Sequence, residues 1–149
     1  MKTVKEILKN KQQQNVWSVL PRNTVYEALA IMGEKEVGAL MVIDEKEKVA
    51  GIISERDYAR KVILKGKASK ETTVEDIMTP FEKMFTVKPE NTVDDCMVLI
   101  TGKRIRHLPV FEGDSFIGLL SIGDIVKSII AEQETLIEHL SNYIAGKYI

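Results

Sequence analysis

One cysteine, Cys96, and two histidines, His107 and His139, are all this 149-residue chain offers of the side chains most used for metal binding and nucleophilic chemistry. A lone thiol excludes an intramolecular disulfide, and ungrouped Cys and His exclude a structural zinc pattern, so no metal site is expected. A reducing compartment fits that cysteine usage. No apolar run approaches the roughly 20 residues that cross a bilayer. The opening stretch MKTVKEILKNKQQQ has no apolar core, so it does not read as a signal peptide and a cytoplasmic location is expected. The net charge of −1 provides no bulk attraction to nucleic acid or to an anionic membrane. Any anion site must be a local basic cluster. Enzyme signatures are missing as well: no Gly-rich loop ending in Lys-Ser/Thr, no H-E-x-x-H, no G-x-S-x-G. Cys96 falls at an inward helical position and reads as a structural thiol, so no catalytic residue is expected.

What is present is a soluble, foldable composition, 44% hydrophobic and 29% charged, arranged as an internal repeat. Val19, Pro21, Asn23, Thr24, Val25, Leu40 and Val42 reappear at constant spacing as Val87, Pro89, Asn91, Thr92, Val93, Leu108 and Val110. After a one-residue deletion, Gly51, Ser54 and Asp57 fall on Gly118, Ser121 and Asp124. The lead-in TVKEIL at Thr3 resembles TVEDIM at Thr73.

Each copy reads as β-α-β-β-α. A short strand carries Trp17 and Val19, with Phe85 and Val87 as its counterparts. Asn23 or Thr24 caps a helix whose apolar positions are Val25, Ala28, Leu29 and Met32, matched by Val93, Cys96, Met97 and Ile100. Ala39–Ile43 is apolar enough for a buried strand. Ala50–Ile53 forms the next strand, and a second helix from Ser54 or Glu55 turns Tyr58, Ala59, Val62 and Ile63 inward. Lys65–Glu71 reads as a polar, flexible linker. Neither copy alone covers its apolar faces, so the two are expected to pack together. The boundaries are then 1–68, 69–131 and a C-terminal amphipathic helix at 132–149. In that helix Leu136, Ile137, Leu140, Ile144 and Tyr148 share a face and Gly146 is a stop. The face covers either its own module or an oligomer partner.

The repeated unit, its T-V-x-x-A helix start (Thr24, Val25, Ala28), the H-L-P-V strand (His107–Val110) and the G-h-h-S-x-x-D element (Gly51–Asp57, Gly118–Asp124) resemble the CBS domain. Two in tandem resemble a CBS pair, or Bateman module. The resemblance implies an α/β (α+β) fold, a pseudo-two-fold packing of two motifs, and two related clefts between them that take AMP, ADP or ATP, and in some members NAD or S-adenosylmethionine. It also implies a homodimer, no required cofactor, no catalysis, and a separate regulated protein that reads ligand occupancy.

Within Ser54-Glu-Arg-Asp57 and Ser121-Ile-Gly-Asp124, two readings coexist. One is a capping box. The other uses the free N–H groups of the helix start and the Ser hydroxyl for phosphate, and the Asp carboxylate for the two ribose hydroxyls. The resemblance assigns the same roles. Arg56 and Arg60 lie one turn apart and either bind phosphate or form a solvated face. The second copy has Gly123 and Lys127 instead, but carries Arg104, Arg106 and His107 where the first has Glu36, Gly38 and Ala39. Those side chains are aimed at phosphate or base, or are a surface charge and a satisfied histidine. The resemblance further implies that Ser18, Val19, Thr86 and Val87 read the adenine edge through their backbones, while Ala39, Met41 and Pro109 line the pocket. The two clefts are therefore expected to be unlike, with the one holding Asp124 better filled. A ligand-free dimerisation scaffold is the alternative.

Overall fold

The computed structural model describes residues 2–11 and 15–146. The element order is α1 (Val4–Asn10), β1 (Ser18–Val19), α2 (Val25–Lys35), β2 (Ala39–Ile43), β3 (Val49–Ser54), α3 (Glu55–Lys61), α4 (Val74–Ile77), β4 (Thr79–Pro80), α5 (Val93–Lys103), β5 (His107–Glu112), β6 (Ser115–Ser121) and α6 (Ile122–Ile144). Short 3-10 turns lie at Ile63–Lys65 and Phe81–Lys83.

These elements sort into two units. A continuous unit is Asn15–Met84; a split unit joins Met1–Gln14 to Phe85–Ile149. The repeat divides the chain in sequence order, whereas packing groups each lead-in helix with the body of the other copy.

In the continuous unit the sheet order is β1-β2-β3-β4, with β1 parallel to β2 and the other pairs antiparallel. In the split unit β5 and β6 pair antiparallel, and the first strand is reduced to a parallel bridge from Val87 to Val110. Leu40 and Val42 face a core with Val25, Ala28, Met32, Ile53, Val62, Val74 and Ile77. Leu108 and Val110 do the same among Val4, Ile7, Val93, Cys96, Ile100, Leu120 and Ile125. The apolar periodicity of α2 and α5 thus marks the buried face, and β2 is buried through Val42 as an apolar strand should be.

The lead-ins dock by one pattern, used twice. Val74 N–H donates to Asn23 O, Glu75 N–H to Pro21 O and Val25 N–H to Thr72 O. In the split unit Val4 donates to Asn91 O, Lys5 to Pro89 O and Val93 to Lys2 O. Each lead-in thereby satisfies backbone groups that a helix start leaves orphaned. The repeated Pro-Asn-Thr-Val sequence is what makes the two docks alike. Thr24, not Asn23, is the N-cap of α2. Asn23 instead accepts from the Leu20 N–H at 2.8 Å, and Asn91 accepts likewise from Lys88.

The structure departs from the sequence-based expectations in three places. Ile63 is 55% exposed, because α3 ends at Lys61 and the chain tightens into a 3-10 turn that rotates Ile63 off the inward face. The Lys65–Glu71 stretch is not a free linker: Ser69 O accepts from Tyr26 N–H at 3.0 Å, and the neighbouring Thr72 is buried. The 132–146 stretch does not start a new helix but continues α6, a 23-residue helix from Ile122. Its Leu136, Ile137, Leu140 and Ile144 are all more than half exposed, so packing on its own module does not account for that face. Gly146 follows the helix at φ 71, the left-handed stop expected of it, and Tyr148 lies outside the described residues.

Candidate functional site

Each unit turns from a strand into a helix at a serine, and the two turns share one geometry. In the continuous unit Ser54 caps α3, accepting from Asp57 N–H at 3.4 Å, while Asp57 Oδ2 accepts from Ser54 N–H at 2.9 Å. In the split unit Ser121 caps α6, with the matching bonds at 3.2 and 2.8 Å. The capping-box reading is thus realised at both corners. It fixes each carboxylate at a helix start, beside N–H groups that have no intrahelical partner.

Sheet register sets what stands beside each corner. Ser54 pairs with Ala39 and Ser121 with His107, the matched first residues of β2 and β5. The Glu55 N–H donates to Gly38 O and the Ile122 N–H to Arg106 O, tying each helix start to the strand beside it. Ala39 and Met41 lie on the face of β2 opposite Leu40 and Val42, and all four are buried. Pro109 is buried in β5.

Ser18 and Val19 stand further along, opposite Met41 and Val42. They line a cleft of about 430 Å³ with Leu20, Asn23, Ile43, Asp44 and Glu47. This cleft lies at the far end of β2 from Ser54, since Ile43 pairs with Val49 while Ala39 pairs with Ser54. Its two carboxylates make it unsuited to phosphate. Val87 donates to Pro109 O and accepts from Phe111 N–H, both at 3.0 Å, so its backbone groups are spent in the sheet. Thr86 is exposed.

The basic residues differ between corners. Arg56 is half-buried on α3 and Arg60 exposed. Arg104 is the left-handed C-cap of α5 at φ 54, as Glu36 is for α2 at φ 56. The strand begins only at His107, so strand alternation does not govern where Arg104 and Arg106 point. His107 is held below its ordinary pKa, mainly by burial; the Asp124 carboxylate opposes that shift, and Lys11 and Arg106 add to it. The imidazole therefore stands neutral beside Asp124 at neutral pH.

Two lysines that no sequence motif marks also stand at these corners. Lys11 Nζ lies 3.0 Å from Asp124 Oδ2, and Lys61 Nζ lies 3.1 Å from Asp57 Oδ1. Lys61 was legible in principle, one turn beyond Asp57 on α3. Lys11 was not, because its approach depends on the N-terminal lead-in joining the second copy.

Nothing here is arranged for nucleophilic chemistry at Cys96. Burial, with the Asp95 charge as the lesser cause, pushes its thiol up to about 11, so it stays protonated at neutral pH. Among the described residues no group of three or more His, Cys, Asp or Glu is placed to hold a metal ion. No helix among them is long and apolar enough to cross a membrane.

Known proteins share this fold. The family model for the CBS domain matches residues 4–64 and 74–131. The mitochondrial CBS domain-containing protein CBSX3 of Arabidopsis thaliana is 42% identical over 98% of this chain and 73% of its own length. Its name assigns it to the mitochondrion, a location this chain's expected cytoplasmic placement does not share. A signal-transduction protein with CBS domains from Burkholderia ambifaria superposes with a TM-score of 0.83 at 49% identity, covering 89% of this chain and 96% of that one. The CBS domain pair of protein MJ0100, solved with 5′-methylthioadenosine and S-adenosyl-L-methionine, shares the fold at a TM-score of 0.73 and 23% identity, over 88% and 98% of the two chains. With both copies of its repeat matched by the family model, the chain belongs to the CBS-domain family, as a tandem pair extended by a C-terminal helix.

Proposed function

We propose that this CBS pair is a regulatory module that binds an adenine nucleotide, AMP, ADP or ATP, at its two strand-to-helix corners. The supporting observation is that both corners present the same constellation, a serine cap and a buried-edge carboxylate at a helix start. Asp57 and Asp124 each accept from ribose hydroxyls, and Ser54, Ser121 and the helix N–H groups face phosphate. Arg56 and Arg60 serve the first corner and Arg106 and His107 the second. Arg104, Ala39 and Pro109 flank these groups. Ser18 and Val19, which line the cleft at the far end of β2 from Ser54, are left out of this site. The adenosine ligands of the MJ0100 pair give the same chemistry a precedent in this fold.

Binding shifts a conformational population in favour of the state that holds the ligand better, and a separate regulated protein reads that shift. The ligand does no chemistry, and the module needs no resident cofactor. Thermal melting of the full chain against millimolar AMP, ADP, ATP, NAD and S-adenosylmethionine tests this. A rise in melting temperature with an adenine nucleotide supports the reading. No rise with any of them favours a ligand-free scaffold.

One observation favours self-association in either case. Leu136, Ile137, Leu140, Tyr143 and Ile144 give α6 an apolar surface with exposures from 53% to 84%. A contiguous face of this kind fits a homodimer contact. Sedimentation equilibrium of the protein and of a Leu136→Glu, Leu140→Glu variant tests it: a dimer that the variant dissociates is expected, and a monomeric parent protein contradicts it.

A further inference from the structure

Asp57 and Asp124 are matched positions of the repeat, and each carboxylate is paired with a lysine. The lysines themselves are not matched. Lys61 belongs to the same helix as Asp57, and its counterpart in the second copy is Ser128, a buried residue. Lys11 follows α1 and arrives from the opposite end of the chain. Each ammonium also donates at 2.8 Å to a backbone carbonyl, again from unlike elements: Lys61 to Ile77 at the end of α4, Lys11 to Leu119 in β6. The same Asp–Lys pair is thus built twice from different parts of the sequence. The fold does not need it to satisfy the aspartates, because the capping box already gives each one a backbone N–H.

We infer that Lys11 and Lys61 determine the charge class of the ligand, acting as counter-charges that admit a phosphorylated adenosine in preference to a neutral or cationic one. The inference rests on the ribose role proposed for Asp57 and Asp124. A carboxylate at the sugar repels a nearby phosphate and attracts a sulfonium. Pairing it with an ammonium cancels that bias. The ammonium thereby removes the charge that would disfavour a phosphate at either corner. His107, kept neutral by burial, adds no charge at the second.

Chemical-shift titration of the full chain tests this, followed separately at the Asp57 and Asp124 amides. The probes are AMP, 5′-methylthioadenosine and S-adenosylmethionine. AMP is expected to bind most tightly. Lys11→Met is expected to weaken AMP at the Asp124 amide by about two- to five-fold, the scale of a part-exposed ion pair, and to move 5′-methylthioadenosine less. Lys61→Met is expected to do the same at Asp57, and Lys11→Arg to keep the order of the three probes. Tighter binding of either sulfur compound than of AMP overturns the inference. So does an equal loss of AMP and 5′-methylthioadenosine in Lys11→Met, which would make the lysine a clamp on the fold. Failure of all three probes to bind removes the adenosine reading itself, and the inference with it.

Discussion

Thr3 pairs with Thr92 across an antiparallel bridge, although the two residues belong to different copies of the repeat. Thr24 and Thr73 pair in the same way. Each bridge seats a lead-in helix on the body of the other copy, and each is followed by a valine with no exposed surface, Val4 or Val74.

That exchange predicts where damage appears. Val4→Ala should cost the split unit ~2 kcal/mol, the scale of a buried truncation that leaves a cavity, and Val74→Ala should cost the continuous unit a similar amount. Native-state hydrogen exchange locates each effect. A larger loss of protection in residues 15–84 than in the split unit on Val4→Ala would contradict the exchange.

Gly51 and Gly118 occupy matched positions yet should tolerate alanine differently. A Cβ at Gly51 would lie 2.3 Å from Thr79 O, a backbone atom held in the sheet by the β3–β4 pairing. A Cβ at Gly118 would meet Leu8 Cδ2 at 2.8 Å, the end of a side chain that can rotate. Gly51→Ala should therefore cost about 1–3 kcal/mol and Gly118→Ala less than that range. Denaturant melts of the two variants provide the comparison.

The His107 environment gives stability a pH dependence. Its folded pKa is depressed, so the unfolded chain takes up the proton first as pH falls. The contribution is fully present above the ordinary histidine value of about 6.5 and is lost as pH drops through the lower folded value. Burial is the main cause of the shift; Asp124 opposes it, and Lys11 and Arg106 add to it. Relative to His107→Gln, the protein should hold its stability above that range and lose it below. Parallel pH profiles would contradict the assignment.

Much of this was legible in the residues. Matched Gly, Ser and Asp positions located both corners, because a capping box is a local event decided within four residues of chain. Periodicity identified Val25, Ala28 and Met32 as core for the same reason. Lys11 and the lead-in exchange were not legible, since each lead-in precedes its own copy in sequence and only long-range packing joins it to the other. Ile63 misled because helical spacing continues past Lys61 while the helix does not. Where Arg104 points was not legible, because its left-handed helix-cap conformation is set by the end of α5 and not by the strand that follows.

The central claim is that Asp57 and Asp124 hold the ribose of an adenine nucleotide. Calorimetric titration of AMP into the full chain and into Asp124→Ala and Asp57→Ala variants tests it most directly. The account predicts binding that each single variant weakens and the double variant abolishes, with both units still folded by far-ultraviolet circular dichroism. Unchanged AMP affinity in the folded double variant would contradict it.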